Sequence, residues 1–246
     1  MGEVRIDDVG FRGADASLRG VLARPGGDGP HPGLVLVPDV FGVSPHYLDL
    51  AGRFATAGFV TLVTDLYCRE GAPVLADMAA VFRWIRQLPD RRVLGDLRAA
   101  VEFVADRADV RAAAVGITGF CMGGQYALMA ACRVPGLAAC VSWYGMLRYA
   151  EIDDVKPESP LAMATDLACP YLGLFGGDDA IIPTGDVDEL RATLARAGKV
   201  FEIVAYPNAG HAFFNDTRPD AYQPAAAADA WPRALAFLQR HLGGSG

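Results

Sequence analysis

The sequence predicts an α/β fold: a mostly parallel central sheet, helices on both faces and an antiparallel hairpin at the N-terminus. Three observations carry that expectation. Six apolar runs of strand length recur along the chain, stretches with apolar residues at helical spacing separate them, and the opening residues alternate polar with apolar. Continuously apolar strands suit a sheet buried on both faces, and strand–helix alternation suits parallel pairing.

Taken in order, EVRIDDVGF and SLRGVLARP read as the two arms of the hairpin, joined through GAD and followed by the Gly/Pro loop PGGDGPHPG. The buried strands are expected at 33–39, 59–66, 112–120, 136–145, 171–179 and 200–210. Helical periodicity marks HYLDLAGRFATAG, VLGDLRAAVEFVAD, GGQYALMAACR and DVDELRATLARAG. Asp186 is placed to cap the last of these, with Glu189 completing a capping box. The C-terminal AAAADAWPRALAFLQRHL is helical, with Pro232 expected to start a new turn or to kink it. No repeat and no long linker divides the chain, so residues 1–246 are expected to form a single domain, with 243–246 a frayed tail.

A length of 246 residues, 52% hydrophobic and 21% charged, fits a globular domain with a full core rather than a disordered chain. The net charge of −7 comes with no basic stripe, so nucleic acid is not an expected partner. No apolar run is long enough to cross a bilayer, and the charged start MGEVRIDD lacks the core of an export signal. Gly2 is followed by a poor myristoylation context. The five cysteines, at 68, 121, 132, 140 and 169, show no CxxC spacing, and the histidines at 31, 46, 211 and 241 form no ligand cluster. A disulfide framework, a metal and a cofactor are therefore not expected, and a reducing cytoplasm is the expected location.

One segment concentrates the chemistry. Gly119-Phe120-Cys121-Met122-Gly123-Gly124 joins a buried strand to a helix with the layout of a G-x-S-x-G nucleophile elbow, sulfur replacing oxygen. Glycines there remove β-carbons that would collide across a sharp turn, and the following helix N-terminus favours a thiolate. No serine lies in a competing G-x-S-x-G context. In this architecture an acid and then a base follow the nucleophile at later strand ends. Residues 174–183, LFGGDDAIIP, supply the acid, and His211 is the only later histidine in a glycine-bearing loop after a strand. Cys121, Asp179 and His211 form a candidate triad. Cys68, Cys132, Cys140 and Cys169 read as ordinary small hydrophobes, and Trp84, Trp143, Tyr144, Phe213 and Phe214 as core.

The chain resembles the dienelactone hydrolase (carboxymethylenebutenolidase) family of the α/β-hydrolase fold, from roughly residue 5 to 242. PDVFGVSPH, VTDLY, GFCMGG, FGGDDAIIP and AGHAFFNDTRP, in that order, carry the resemblance. It implies a thiol nucleophile at Cys121, an imidazole at His211 and an orienting carboxylate, with Gly-Gly-x-Asp spacing selecting Asp179 over Asp178. It also implies an oxyanion hole made by the backbone N–H groups of Met122 and Val40. Two departures stand out. Asp39 occupies the position of a glutamate that gates the thiol in the family. Asn215 stands where an arginine holds a substrate carboxylate, leaving Arg218 nearby as a replacement and Arg83 or Arg86 as candidates for a second arginine.

The expected function is cofactor-independent hydrolysis of a small lactone or carboxylic ester through an acyl-thioester, by a monomer or small homo-oligomer. The competing expectations are a small-molecule binder with negligible turnover and a redox-sensing thiol, with Cys68 as a partner for Cys121.

Overall fold

The computed structural model describes residues 2–27 and 29–243; Asp28 of the Gly/Pro loop and residues 244–246 of the expected tail lie outside them. Eight strands form one sheet: β1 (Gly2–Arg12), β2 (Ser17–Gly26), β3 (His31–Val37), β4 (Val60–Thr64), β5 (Val110–Phe120), β6 (Leu137–Trp143), β7 (Tyr171–Gly176) and β8 (Phe201–Tyr206). Their order is β1-β2-β4-β3-β5-β6-β7-β8. The β1–β2 and β2–β4 pairs are antiparallel, and every pair from β4 to β8 is parallel. This is the sheet read from the sequence. The apolar runs overshoot the strands at their carboxyl ends: Pro38-Asp39, Tyr144-Gly145, Gly177-Asp178-Asp179 and Pro207 to Gly210 have left the ladder. Those surplus residues build the loops above the sheet.

The helices are α1 (Pro45–Thr56), α2 (Met78–Gln87), α3 (Asp90–Ala105), α4 (Met122–Arg133), the single turn α5 (Pro160–Met163), α6 (Thr184–Arg196) and α7 (Pro224–Leu242). α1 packs on β2 and β4 and α7 on β5 and β6, while α3 and α4 pack together on β3 and β5. Phe54 of α1 meets Trp231 of α7 with ring centroids 4.7 Å apart, joining the two helices on their face of the sheet. Leu34, Val35, Leu36, Val37, Ile117, Val141 and Leu172 lie between the layers, almost fully excluded from solvent. The chain runs from β3 to β4 on one side and from β4 back across to β5 on the other. The carboxyl ends of β3 and β5 therefore flank a topological switch point, where an open α/β sheet leaves a crevice.

Two local expectations are corrected. α6 starts at Thr184 with Pro183 before it, so Asp186 is not a cap but a first-turn acid. Asp186 and Glu189 instead both bind Arg148, at 3.2 and 2.6 Å. α7 runs through Pro232 without interruption from Pro224 to Leu242. A proline removes the hydrogen bond to the carbonyl four residues back, here that of Ala228. Both Pro232 and Ala228 lie on the exposed face, where water can satisfy that carbonyl. The helix α2 was not read from the sequence, although Met78, Val81, Phe82 and Ile85 have helical spacing and Asp77 accepts the Ala80 N–H at 2.7 Å as its cap.

Candidate active site

β5 delivers Phe120 to the middle of the sheet, and the next residue breaks the pattern. Cys121 has φ 53° and ψ −117°, a strained conformation for a residue with a side chain. It is held there on both sides. Its N–H donates to the Trp143 carbonyl on β6 at 3.0 Å, and its carbonyl accepts the Gln125 N–H at 3.1 Å in the first turn of α4. The flanking glycines are obligatory. A β-carbon on Gly119 would sit 2.0 Å from the Gly123 oxygen, and one on Gly123 would sit 2.1 Å from the Val37 oxygen. The helix thus lies directly on the strands, and the sulfur is pushed up into the crevice.

The acid and the imidazole come from the loops after β7 and β8. Asp179 Oδ2 lies 2.9 Å from His211 Nδ1. Its other oxygen accepts the N–H groups of Ile181 and Ile182 at 2.8 and 3.1 Å, which fixes the plane of the carboxylate. Asp178 is exposed, and its N–H ties the β7 loop to the Ala209 carbonyl at 2.9 Å. Of the two adjacent aspartates, then, Asp179 is the one in contact with the imidazole. His211 Nε2 is buried without a hydrogen-bond partner of full geometry. Burial disfavours the imidazolium, yet the Cys121 sulfur and the Asp179 carboxylate outweigh it and raise His211 to about 10.

Val40 and Met122 border the same cavity, and the carbonyl of the peptide before each is already taken, which turns its N–H the other way because N–H and C=O of one peptide point in opposite directions. The Cys121 carbonyl is turned into α4 by Gln125, so the Met122 N–H points out of the helix N-terminus. The Asp39 carbonyl is held by the Gly42 N–H at 3.0 Å, so the Val40 N–H points away from that turn. Tyr67 steadies that loop, its hydroxyl donating to the Val40 carbonyl at 2.9 Å.

Cys121, His211, Asp39, Val40, Met122 and Arg218 line one cavity of about 140 Å³. Most of its remaining wall is apolar: Met78, Val81, Phe82 and Ile85 from α2, with Phe41, Met146 and Ile181. Among the described residues, Gln125 is the one polar side chain the lining adds to those read from the sequence.

Asp39 is nine-tenths buried and accepts the Phe41 N–H at 2.9 Å. Burial raises its pKa, while the Phe41 N–H, the Tyr47 hydroxyl and the fields of His46 and Arg218 pull the other way. Neither candidate for the second arginine reaches the cavity. Arg86 is engaged by Glu151 and Asp153 at 3.0 and 2.8 Å, and Arg83 lies on the exposed side of α2. Asn215 is buried and used by its own turn, accepting from the N–H and hydroxyl of Thr217 at 3.1 and 2.6 Å.

The remaining cysteines are free thiols outside the cavity. Burial pushes Cys132 and Cys169 up to about 12 and raises Cys140 well above its ordinary value. Trp143, Tyr144, Phe213 and Phe214 pack behind the site as core, with Tyr144 edge-on to His211 at 5.3 Å. Sequence reasoning missed the α2 wall, legible in its helical period, and the polar cluster behind Gln125, which has no local signal. Among the described residues no cluster of metal-ligating side chains is present, and no helix is long and apolar enough to cross a membrane.

The family model for the dienelactone hydrolase family matches residues 18–242. A Bradyrhizobium protein named "Probable 2-oxo-3-(5-oxofuran-2-ylidene)propanoate lactonase" is 38% identical over 96% of this chain and 94% of its own. The carboxymethylenebutenolidase of Rhodococcus opacus is 33% identical over 85% of this chain and 81% of its own. A crystal structure from Klebsiella pneumoniae, described as a "Putative Dienelactone Hydrolase", superposes with a TM-score of 0.90 at 36% identity, covering 96% of this chain and 99% of that one. The α/β hydrolase GrgF of Penicillium, only 15% identical, shares the fold alone, with a TM-score of 0.74 over 97% of this chain and 99% of that one.

Proposed function

The chain belongs to the dienelactone hydrolase family, a lactone or ester hydrolase by that kinship, and we propose that it works through Cys121, His211 and Asp179 by way of an acyl-thioester. The observation that carries this reading is the strained Cys121 at the head of α4, in one cavity with an imidazole that Asp179 holds at 2.9 Å.

The Cys121 proton passes to His211 Nε2, and the thiolate so formed attacks the substrate carbonyl. The charge on the carbonyl oxygen is met by the N–H groups of Met122 and Val40. Collapse of the tetrahedral species breaks the carbonyl–alkoxy bond, and His211 returns the proton to the departing oxygen. For a lactone that oxygen becomes a hydroxyl still tethered to the acyl chain. Water, deprotonated by His211, then adds to the thioester and the C–S bond breaks, giving the carboxylic acid and the thiol. Asp179 keeps Nδ1 protonated throughout, so Nε2 is the nitrogen that exchanges protons.

The apolar walls suit a substrate with little charge, and Arg218 offers one cation for a carboxylate carried at the rim. Asp39, bonded to Phe41 and close to Tyr47, tunes the field at the sulfur rather than bonding it. The pairing of Cys121 with a charged imidazole favours hydrolysis over a silent binding scaffold, and Cys68 lines no part of the cavity where a disulfide partner would be needed. Hydrolysis of p-nitrophenyl acetate and of a simple lactone tests the reading. Cys121→Ala is expected to abolish turnover, with at least a thousandfold loss on the scale seen when a triad member is removed. Wild-type rates in that variant would refute it.

A further inference from the structure

Directly behind the cavity lies a sealed polar cluster. Lys156 is fully buried, and its ammonium donates to the Leu88 carbonyl at 2.8 Å, the Asp90 carboxylate at 2.6 Å and the Tyr126 hydroxyl at 2.8 Å. The Tyr126 hydroxyl donates to Asp90 Oδ1 at 2.9 Å, and that of Tyr149 reaches both Asp90 oxygens at 3.1 and 3.0 Å. Gln125 meets Tyr149 at 2.6 Å.

The proton inventory of this chain fixes the Gln125 amide. A phenol has one proton, and that of Tyr149 goes to the Asp90 carboxylate. Its oxygen must therefore accept from Gln125, which places Nε2 against Tyr149 and turns Oε1 away from it. Gln125 is 0% exposed and lines the cavity, and its Oε1 has no hydrogen-bond partner. A buried acceptor left unpaired is costly, and a donor brought in through the cavity that Gln125 lines would relieve it. The amide cannot turn to help itself, because its other end is held by a tyrosine that Asp90 and Lys156 hold in turn.

Position adds chemistry. Gln125 lies four residues after Cys121, and their backbones share a helical hydrogen bond of 3.1 Å. Both side chains line the same cavity of about 140 Å³. In so small a space, a donor meeting Oε1 and a carbonyl under attack at the sulfur belong to neighbouring parts of one small substrate.

We propose that Gln125 determines specificity by accepting, at Oε1, a hydrogen bond from a hydroxyl on the acyl part of the substrate, α or β to the scissile carbonyl. The substrate class is a hydroxylated lactone or ester. This rests on the hydrolase reading of the site. The test compares kcat/KM for γ-butyrolactone with its 2-hydroxy and 3-hydroxy derivatives. Wild-type protein is expected to favour one hydroxylated member about tenfold, the worth of one well-placed hydrogen bond. Gln125→Met, similar in size but without the acceptor, brings the ratio to within about twofold of unity on that same measure. Tyr149→Phe keeps Gln125 but frees its amide, and is expected to lower the ratio by about threefold, which preserves the test if Gln125→Met does not fold. A wild-type protein indifferent to the hydroxyl, or a Gln125→Met protein that keeps the preference, overturns the proposal and leaves hydrolysis by Cys121 untouched. If wild-type protein opens none of the three lactones and cleaves no ester, the hydrolase reading itself fails and this inference falls with it.

Discussion

Two buried carboxylates in this molecule each hold a cation, and the two cations are driven in opposite directions. Asp179 binds His211 at 2.9 Å, with the Asp179 side chain fully excluded from solvent. Asp90 binds Lys156 at 2.6 Å, with both side chains almost wholly excluded. Burial penalises the charge in each case. Lys156 ends below its ordinary value despite Asp90, whereas His211 ends well above its own. The difference is in the groups added to the carboxylate. Besides Asp90, Lys156 hydrogen-bonds only a neutral carbonyl and a neutral phenol, and of the charges farther off Arg86 lowers it while Asp153 raises it. His211 has the Cys121 sulfur as well, and Asp179 takes only its Nδ1, which leaves Nε2 for the sulfur. A closed pair is scaffold; a pair with one nitrogen left over is equipped for proton transfer.

Exchanging each carboxylate or cation for a neutral isostere should separate the two roles, and the largest effect is expected at Asp179. Asp179→Asn keeps the size of the side chain but can present an N–H to Nδ1, selecting the imidazole tautomer with its proton on the wrong nitrogen. A fall in kcat on the order of 10⁴ is expected, with the melting temperature nearly unchanged. A loss of less than tenfold on p-nitrophenyl acetate would mean that Asp179 does not orient the base.

At the closed pair the loss is expected in the fold. Lys156→Met leaves Asp90 as an unpaired buried carboxylate, a change worth about 3–5 kcal/mol when one partner of a buried ion pair is removed. For a chain of this length that corresponds to a melting temperature lower by roughly 10 °C. Asp90→Asn combined with Lys156→Met removes both charges and should recover part of the loss, because a neutral cluster escapes the desolvation cost. A single variant melting within a degree or two of wild type would show that Asp90 is satisfied without the ammonium.

These two sites were unequally legible in the sequence. The turn at Cys121 was readable because its constraint is local: Gly119, Gly123 and Gly124 are required by backbone contacts within a few residues or with adjacent strands. Asp179 and His211 were readable because a parallel sheet puts successive strand ends side by side. Lys156 was not. In EIDDVKPESP it looks like one charge among several in a solvent-facing loop, and its burial depends on the Leu88 carbonyl, 68 residues away. The misread capping box has the same origin, since Asp186 and Glu189 answer to Arg148 across 38 and 41 residues. The α2 wall is a different case: its apolar period was present, but the stretch is short, and Met78 and Phe82 of that stripe remain half exposed, facing the cavity instead of a core.

The smallest of these effects tests the claim that the sulfur sets the two pairs apart. His211 is raised to about 10, above the value near 6.5 of an unfolded histidine. A base raised in this way contributes stability that is fully present below about 6.5 and is lost as the pH climbs through the folded value. In Cys121→Ala the thiol is gone while burial and Asp179 remain, so the imidazole should titrate about 1–3 units lower, the effect of one nearby opposite charge. NMR titration of the His211 ring in the two proteins measures the shift directly. Melting curves across the same pH range should show the variant losing the His211 contribution at lower pH than wild type. Equal ring pKa values in the two proteins would locate the cause in Asp179 alone, and the contrast with Lys156 would then have to come from how the two carboxylates are solvated rather than from sulfur.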